Sequence, residues 1–491
     1  MRYRRLPGIG AALAPVLLIL VHNWLSLSGQ KRFPDVPGNV RICPDGGCRA
    51  SAPVSIVPGQ SIQAAVDAAP PGASFLLKAG IHRLQRVTAK DGDTFMGETG
   101  TVLSGARVLT NFVQQGSVWV ADGQTQAART HGECLPAYPR CDHPEELFVD
   151  DVRMRHVGDV SAVGPGTWFF DYAAKRIYLG TNPAAHRVET SVTDAAITGR
   201  ASRVTITGLT IEKYASPAQS GAIDGASGRG WTVAANVIRL NHGAGLSLGP
   251  SMQVRDNHIL ANGQLGIGGG DGHTDIQVEG NEIASNNQAG FDPLWEAGGT
   301  KFWATTNLVV RGNTVHHNLG PGLWTDTDNR GTLYENNIVE DNRGTGIFHE
   351  VSYAAVIRNN SLRRNGEDSG VWSGGAGILI SASSDVEVYG NLVEDNANAI
   401  VAMQQNRGSG PFGPYLVRNL YVHDNTLRMA VGLNGIIEDV GNSAPFTSRN
   451  NRWQSNTYYL GTNRSYFAWL GIRTETEWQN YGNDTTGMFL R

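Results

Sequence analysis

Apolar and polar residues alternate with a period of two along a run of short segments that begins near residue 231. Segments such as "VVRGNTV" (309–315) and "VEVYGNLV" (386–393) are also rich in Val and Ile. Alternation of this kind is typical of β-strands that bury one face. No stretch inside a segment is long enough for a regular helix, so the pattern predicts an all-β region.

The strands belong to a unit that repeats along the chain. Each copy has an Asn, four residues, a second Asn, a short turn and then a Gly followed by an apolar residue, as in "NIVEDNRGTGI" (337–347). The leading asparagines are Asn236, Asn257, Asn281, Asn313, Asn337, Asn360, Asn391 and Asn425. Their spacings of 21, 24, 32, 24, 23, 31 and 34 residues indicate a solenoid with a base period in the low twenties and occasional insertions.

Units of three short strands and tight turns predict a particular solenoid, the parallel β-helix, in which each coil contacts its neighbours. The Leu-dominated pattern of a leucine-rich repeat is absent. The asparagines fall at the bends, where a side-chain amide can bond the backbone and the equivalent Asn one coil away. We therefore expect ladders of structural asparagines rather than ligands.

The residues before the repeat also have a recognisable pattern. Ser61 precedes "IQAAVDAA" and "PPG" follows it, which suits a short helix with a start and a stop. This segment, with "GETGTVLSG" (97–105), resembles the N-terminal part of pectin-lyase-like right-handed parallel β-helix proteins, in which such a helix caps the coil stack. "TETEWQNYGNDTTGMF" (474–489) resembles the terminal segment of that family. The resemblance covers most of residues 54–491 and implies the fold, but this fold hosts hydrolases, lyases, epimerases and non-enzymes.

Residues 111–195 do not fit the repeat. "ELFVDDVRMRHV" (146–157) and "GTWFFDYAAKRIYLG" (166–180) predict hairpin strands with "DD" and "YAAK" as turns, and the segment resembles a lobe of some β-helix glycoside hydrolases. The predicted organisation is a signal peptide (1–28), a linker (29–53), a cap with the first coils (54–110), an antiparallel insertion (111–195), the repeats (196–445) and a C-terminal cap (446–491).

The N-terminus predicts export. A cationic "MRYRR", an apolar "GIGAALAPVLLILV" (8–21) and a small "SLS" (26–28) are typical of a secretory signal peptide, and an uncleaved anchor is the alternative. The four cysteines form two local pairs, Cys43 with Cys48 and Cys134 with Cys141, and export makes disulfides the expected state of both. We expect a secreted or extracytoplasmic protein that contacts a membrane only through this segment.

Composition narrows the class of partner. The 491 residues include 61 glycines, which suits many turns, and carry a net charge of −4. No long basic run follows the N-terminus, so nothing predicts a nucleic-acid partner.

Two titratable side chains break the repeat on adjacent coils. The glycines that open the third strand of successive coils are Gly266, Gly290, Gly322, Gly346 and Gly377. Alternation should point the next residue inward and the second and fourth residues outward. Asp326 and Glu350 are both fourth residues, so they should lie side by side about 4.7–4.9 Å apart, near the about 5–5.5 Å carboxyl separation of a retaining glycosidase.

Two carboxylates this close repel, so one should have a raised pKa and act as a general acid while its partner stays ionised. His349 should point inward unless a bulge turns it into the cleft. The alternative interpretation is that these carboxylates have no catalytic role, because an outward carboxylate is ordinarily a solvated charge and "DTDN" (326–329) fits a turn.

The insertions all follow the glycine-led strand. They are "DPLWEAGGTKFWATT" (292–306), "GEDSGVWSGG" (366–375) and "QQNRGSGPFGP" (404–414). Long loops on one side of a solenoid commonly build its binding groove. The predicted substrate-binding residues are Trp295, Trp303, Trp324, Trp372 and Glu296.

Three functions stay open at this stage. The leading hypothesis is an exported glycoside hydrolase that acts on a polysaccharide through Asp326 and Glu350 and requires no cofactor. A hypothesis without catalysis is a glycan-binding surface protein that uses the same aromatic groove.

The second hypothesis is a polysaccharide lyase or uronate C5-epimerase. "GFDP" (290–293) resembles a motif of the alginate epimerase and lyase group, which implies a catalytic role for Asp292, although that motif continues with His where Leu294 stands. His349 and Lys301 would be the base and the charge neutraliser, or Ca²⁺ bound by Asp292 and Asp326 would neutralise the substrate.

Overall fold

The computed structural model describes residues 52–127, 129–367 and 374–491. The predicted signal peptide, nearly all of the predicted linker, the Cys43–Cys48 pair and Trp372 lie outside the described residues.

The described chain winds into a parallel β-helix in which successive coils add strands to three long sheets. Each sheet has thirteen described strands, and sequential coils supply neighbouring strands. The predicted all-β solenoid is confirmed. The pairing is parallel throughout except for the last pair of the third sheet, Phe467–Ala468 with Ile472–Arg473.

Sheet 1 contains Val54–Ile56, Ser74–Leu77, Thr94–Gly97, Thr205–Thr207, Thr232–Ala234, Gln253–Arg255, Gln277–Glu279, Val309–Arg311, Arg330–Glu335, Tyr353–Arg358, Ser384–Tyr389, Tyr421–His423 and Arg452–Gln454. Sheet 2 contains Gly80–Arg83, Thr101–Ser104, Thr210–Glu212, Val237–Arg239, His258–Leu260, Glu282–Ala284, Thr314–His316, Ile338–Glu340, Ser361–Arg363, Leu392–Glu394, Thr426–Met429, Thr457–Leu460 and Met488–Leu490. Sheet 3 contains Val87–Thr88, Ile197–Thr198, Gly221–Asp224, Ala244–Leu248, Leu265–Gly269, Gly298–Trp303, Leu323–Asp326, Ile347–Glu350, Ala376–Ser381, Asn398–Gln404, Asn434–Glu438, Phe467–Ala468 and Ile472–Arg473.

The interior is filled by residues that occupy the same position in successive coils. In sheet 1 the in-register positions Ile206, Val233, Val254, Val278 and Val310 are all fully buried. Burying a side chain of this size contributes about 1.5–3 kcal/mol relative to exposure. The alternation in the sequence is therefore the signature of an inward apolar face.

The predicted asparagine ladders are present at two bends. At the first bend the Nδ2 of each Asn donates to the Oδ1 of the next from Asn236 to Asn456, where Asp484 ends the row. A second ladder runs from Asn241 to Asn396. These amides are buried, and each also bonds backbone groups, so the ladders satisfy polar atoms at turns that water cannot reach.

The N-terminal end of the stack is covered by the helix Ile62–Ala68, and the predicted cap is confirmed. Ser61 accepts a hydrogen bond from the Ala64 amide at 3.1 Å, and the buried Ile62 and Val66 face the core. The other helical turns are Pro293–Glu296, Ala444–Thr447, Glu475–Asn480 and the 3₁₀ turn Val160–Ala162. None of the described helices is long and apolar enough to cross a membrane.

An antiparallel insertion interrupts the coils. One of its sheets has the order Val152–Arg153, Leu147–Val149, Val188–Ser191, Ala106–Leu109, and the other has the order Arg155–His156, Thr167–Asp171, Arg176–Leu179, Val118–Ala121, Val113–Gln115. Within this five-stranded sheet of the insertion, Arg155–His156 and Thr167–Asp171 pair in parallel. The antiparallel pairing begins at Ala106, five residues before the boundary expected from the sequence.

Buried ion pairs join the insertion to the coils. Lys213, which is 1% exposed and follows a strand of sheet 2, pairs with Asp151 and Glu189 of the insertion. Arg153 pairs with Glu146 and donates to the carbonyl of Asn241 in the coil stack. A disulfide joins Cys134 and Cys141, and Cys134 forms an antiparallel bridge with Phe291.

The coil stack continues past residue 445, where the sequence placed the start of a separate cap. Arg452–Gln454, Thr457–Leu460 and Met488–Leu490 extend sheets 1 and 2 in parallel. The repeat is harder to see here because Ala430 replaces the second Asn, while large rings such as Trp453 and Trp478 fill the last coil.

Replacing Asn313 by Ala tests the ladder. Asn313 donates to the carbonyl of Val278 and to Oδ1 of Asn337, and accepts from the amide of Asn281. Its loss leaves buried partners unsatisfied, so we expect the free energy of unfolding to fall by about 2–3 kcal/mol in urea titrations. The exposed Asn463→Ala is the control, with a change within about 0.5 kcal/mol. Equal effects of the two substitutions would contradict a stabilising role of the ladder.

Candidate functional site

Two carboxylates lie in register on the outer face of sheet 3. Asp326 pairs with Glu350 across Leu323–Asp326 and Ile347–Glu350, and Trp324 pairs with Phe348. A buried Asn329 holds the turn after Asp326, because its Nδ2 donates to the carbonyl of Asp326 at 2.9 Å and its amide donates to Ser352. The backbone therefore fixes the two carboxyl-bearing positions side by side.

The coil before Asp326 differs from the register expected from the sequence. Its third strand is Gly298–Trp303 rather than a strand opened by Gly290, and Trp303 is the partner of Asp326. Asp292 and Leu294 therefore do not occupy the outward positions assigned to them. The seven residues between Gly290 and Gly298 include the helical turn Pro293–Glu296 and act as an insertion before the strand.

A cleft of about 440 Å³ opens over this part of sheet 3. It is lined by Gln219, Glu296, Lys301, Trp303, Asp326 and Thr327. Its central cation is Lys301, whose Nζ lies 2.8 Å from Glu296 Oε1, 2.9 Å from Asp326 Oδ2 and 4.3 Å from the centre of the Trp324 ring. The side chain of Lys301 is only 6% exposed, so this ammonium is held by two carboxylates in a largely dry setting.

Glu350 lies one strand beyond the cleft lining. Its side chain is 12% exposed, and Arg407 Nη1 lies 2.5 Å from its Oε1. Burial raises the pKa of Glu350 and the neighbouring Asp326 charge raises it further, while Arg407 and Lys301 oppose the shift. Burial is thus the main cause of the raised pKa of Glu350, and the repulsion expected from the spacing of the pair adds to it.

The far wall of the cleft links the coils to the insertion. Glu296 accepts a hydrogen bond from Gln219 Nε2, and its backbone carbonyl accepts one from Gln264 at 2.7 Å. His131, next to the disulfide loop, lies 2.8 Å from Gln219 Oε1 through its Nε2. The position of Glu296, and through it that of Lys301, depends on contacts across three segments of the chain.

The predicted aromatic residues separate into different environments. Trp303 lines the cleft and is half-buried. Trp324 is 5% exposed and stacks on Phe348 at 5.4 Å. Its ring contacts the Lys301 ammonium and does not offer a face to a ligand. Trp295 stacks on Phe291 and meets His131 edge to face, so it packs against the disulfide loop instead of the cleft.

Two predicted catalytic residues lie away from the cleft. His349 is fully buried with Nδ1 2.8 Å from Thr325 Oγ1, and burial lowers its pKa to about 3. The strand has no bulge at this position, so alternation points His349 into the core, away from the cleft. Asp292 caps the turn Pro293–Glu296 by accepting from the Leu294 amide, so the structure gives it a structural role.

Sequence reasoning missed Arg407 and Gln219. Arg407 lies in the predicted active-face insertion 404–414, but nothing in "NRGSG" distinguishes an ion-pairing arginine from a solvated one. Gln219 comes from a turn four coils before Asp326, and the repeat pattern gives no sign that a residue so distant in sequence lines the cleft.

Within residues 52–127, 129–367 and 374–491, no three His, Cys, Asp or Glu side chains converge to hold a metal ion. Asp292 and Asp326, the expected Ca²⁺ ligands of the lyase or epimerase hypothesis, have other partners: the Leu294 amide and the Lys301 ammonium.

Comparison with known proteins agrees with the architecture. The family model for the right-handed β-helix region matches residues 186–295 and 222–393. The structure described as the complex of XylC with xylose aligns with a TM-score of 0.69 at 15% identity, over 88% of this chain and 82% of that chain. The chain therefore has the pectin-lyase-like right-handed parallel β-helix fold. No curated protein sequence matches the chain significantly.

Two further solved structures overlay less closely. They are the A-module of the mannuronan C-5 epimerase AlgE6 of Azotobacter vinelandii (TM-score 0.48, 15% identity, 88% of this chain and 94% of that chain) and the catalytic unit of the GH87 α-1,3-glucanase of Streptomyces thermodiastaticus strain HF3-3 (TM-score 0.49, 11% identity, 90% of this chain and 68% of that chain). At these sequence identities the similarity concerns the fold alone, and the chemistry has to be inferred from the residues of the site.

Replacing Lys301 by Met tests the charge balance of the cleft. The change keeps the chain length but leaves Glu296 and Asp326 without their shared cation. We expect the free energy of unfolding to fall by about 2–3 kcal/mol at pH 8. The loss should be smaller at pH 5, because proton uptake by the crowded carboxylates of the folded state relieves their repulsion.

The exposed pair of Lys78 with Glu98, at 2.6 Å, supplies the matched control. Lys78→Met should cost at most about 1 kcal/mol, with little dependence on pH. A loss from Lys301→Met that is the same at both pH values would show that its charge does not balance the cleft.

Proposed function

We propose that the protein is a glycoside hydrolase that acts on a polysaccharide, with Asp326 and Glu350 as its catalytic pair. The observation that carries the proposal is that the two carboxyls lie in register on adjacent strands, with Asp326 in the cleft lining and Glu350 one strand beyond it, and that their surroundings differ. Two carboxyl groups whose environments differ in this way are suited to opposite roles in glycosidic bond cleavage.

Glu350 is the general acid in this mechanism. Its raised pKa keeps a proton available, and that proton passes to the glycosidic oxygen as the bond from this oxygen to the anomeric carbon breaks. Asp326, bound to the Lys301 ammonium, is the ionised partner that meets the positive charge developing on the sugar ring. The strand spacing of about 4.7–4.9 Å favours direct attack by Asp326, after which water releases the sugar and Glu350 regains its proton.

Hydrolysis suits the site better than elimination or epimerisation. Both alternatives abstract a proton beside a uronate carboxylate, which requires a base in the cleft and a counter-charge for the substrate. His349 lies in the core, Asp292 caps a turn, and the Lys301 ammonium is already bound by two carboxylates. A third carboxylate from the substrate would compete with both of them.

The remaining cleft residues suit a sugar ligand. Trp303 offers an aromatic face, and Gln219, Glu296 and Thr327 offer polar groups to hydroxyls. Xylose in the XylC complex agrees with a sugar substrate, and the proposed reaction requires no cofactor. The Cys134–Cys141 disulfide and the N-terminal sequence pattern support an extracytoplasmic site of action.

Mass spectrometry of products distinguishes hydrolysis, elimination and epimerisation. The full chain would be incubated with a panel of neutral and uronate polysaccharides in H₂¹⁸O, with and without calcium. Hydrolysis predicts one ¹⁸O atom at each newly formed reducing end. Unsaturated fragments without the label would indicate a lyase, and solvent deuterium in uncut chains, in a parallel D₂O arm, would indicate an epimerase.

Variants of the pair test the assigned roles. Glu350→Gln and Asp326→Asn should each lower the hydrolysis rate by at least about 10²-fold. On nitrophenyl glycosides, whose leaving group needs no proton, Glu350→Gln should retain far more activity than Asp326→Asn. Glu387→Gln, on the exposed face of sheet 1, is the control. Unchanged turnover in both cleft variants would contradict the proposal, and glycan binding that survives both but fails in Trp303→Ala would favour the binding protein.

A further inference from the structure

The cation on Glu350 is delivered by a separate small hairpin. Residues 404–415, here named the Arg407 hairpin, leave sheet 3 at Gln404 and pair Ser409–Gly410 with Gly413–Pro414 in antiparallel fashion. The Tyr415 amide donates to the carbonyl of Gly408 at 3.0 Å, which closes the hairpin at the residue next to Arg407. Arg407 therefore reaches Glu350 from a hairpin that lies outside the three sheets of the coil stack.

The Arg407 hairpin is fastened to the turn that follows Asp326. Tyr415 Oη donates to Asp328 Oδ1 at 2.6 Å, and Tyr353 Oη donates to the carbonyl of Gly413 at 2.8 Å. Gly410 packs so closely here that a Cβ would clash with the Asp328 carboxylate and both tyrosine hydroxyls. The hairpin backbone thus lies directly on a polar cluster built from the ends of the two catalytic strands.

The cluster is also tied to the two catalytic strands by backbone hydrogen bonds. The Thr327 amide donates to the carbonyl of Glu350, and the Asp328 amide donates to the carbonyl of Val351. Asp328 has a φ of +59°, a left-handed conformation that costs a non-glycine residue energy and persists where surrounding contacts enforce it. Its carboxylate is consequently aimed at Tyr415 by the same turn that ends the strand of Asp326.

We propose that the hydrogen bond between Tyr415 and Asp328 is a positioning device that keeps Arg407 on Glu350, and so sets the pH at which Glu350 releases its proton. Tyr415 and Asp328 are positioning residues, since they act through Arg407. Among the described residues, the charged groups that act on Glu350 are Asp326 from the adjacent strand, Lys301 from the strand beyond it and Arg407 from the hairpin. Its partner on the other side, Ser381, is uncharged.

These charges determine the direction in which the pKa of Glu350 shifts when Arg407 moves away. Arg407 favours the ionised form of Glu350, so moving it away raises the pKa of the carboxyl. The general acid would then stay protonated to a higher pH, and the basic limb of the activity profile would shift upward. This last step rests on the proposed hydrolase function, whereas the shift in the titration of Glu350 does not.

The test measures the titration of Glu350 directly. Infrared difference titration of its carboxyl, assigned by subtraction of Glu350→Gln, would be compared for the wild type, Arg407→Met and Tyr415→Phe. We expect an upward shift of about 1 pH unit for Arg407→Met and a smaller one for Tyr415→Phe. The double variant should shift no further than Arg407→Met, because Tyr415 acts through Arg407.

Conservative variants separate positioning from general loss of stability. Asp328→Asn keeps an acceptor oxygen for Tyr415 and should titrate like the wild type, whereas Asp328→Ala should follow Tyr415→Phe. Tyr421→Phe removes a hydroxyl bonded to Gln454 on sheet 1 and should change nothing. If Tyr415→Phe lowers the melting temperature but leaves the titration of Glu350 in place, the proposal is overturned.

The pH dependence of kcat/KM then tests whether the hairpin also affects catalysis. If the variants shift both the carboxyl titration and the basic limb of kcat/KM, the hairpin tunes the general acid. A shifted titration in a protein that hydrolyses no glycan would leave the positioning device standing and refute the hydrolase.

Discussion

The in-register stacking of coils is the constraint on which the rest of this structure depends. Parallel pairing sets neighbouring strands about 4.7–4.9 Å apart, and the buried ladders of asparagines lock equivalent bends together. A shift by one residue would send the apolar side chains outward and break both ladders. Because the register is fixed this strongly, Asp326 and Glu350 lie next to each other on adjacent strands. Their closeness requires no local adjustment of the backbone.

Stacking carboxylates in this way creates a repulsion, and two cations relieve it. Lys301 lies on the sheet 3 strand Gly298–Trp303, and Arg407 lies on a hairpin outside the three sheets. Lys301 follows the insertion 291–297 and is steadied by Glu296 and Trp324, while Arg407 arrives on a hairpin that packs on Asp328 and Tyr415. The regular solenoid therefore supplies the spacing of the pair, and these two cations supply the difference in environment between the two members.

The antiparallel insertion contributes to the same site at longer range. Its disulfide loop pairs with Phe291, packs on Trp295 and places His131 beside Gln219, which in turn holds Glu296. Buried ion pairs around Lys213 and Arg153 anchor the insertion to the coils. One wall of the cleft thus depends on contacts between segments more than 80 residues apart in sequence.

The sequence by itself determined the repeat, the ladders, the capping helix and the pairing of Asp326 with Glu350, because each follows from a local period or from counting along it. Tertiary structure decided the rest. Periodicity could not show that the coil after Gly290 inserts seven residues before its strand, which removed Asp292 from the register and placed Lys301 between two carboxylates. It also could not separate a tryptophan that lines a cleft, Trp303, from those that pack against a loop or a cation, Trp295 and Trp324. Side-chain environment depends on which distant segments fold over a position, and no local pattern encodes that.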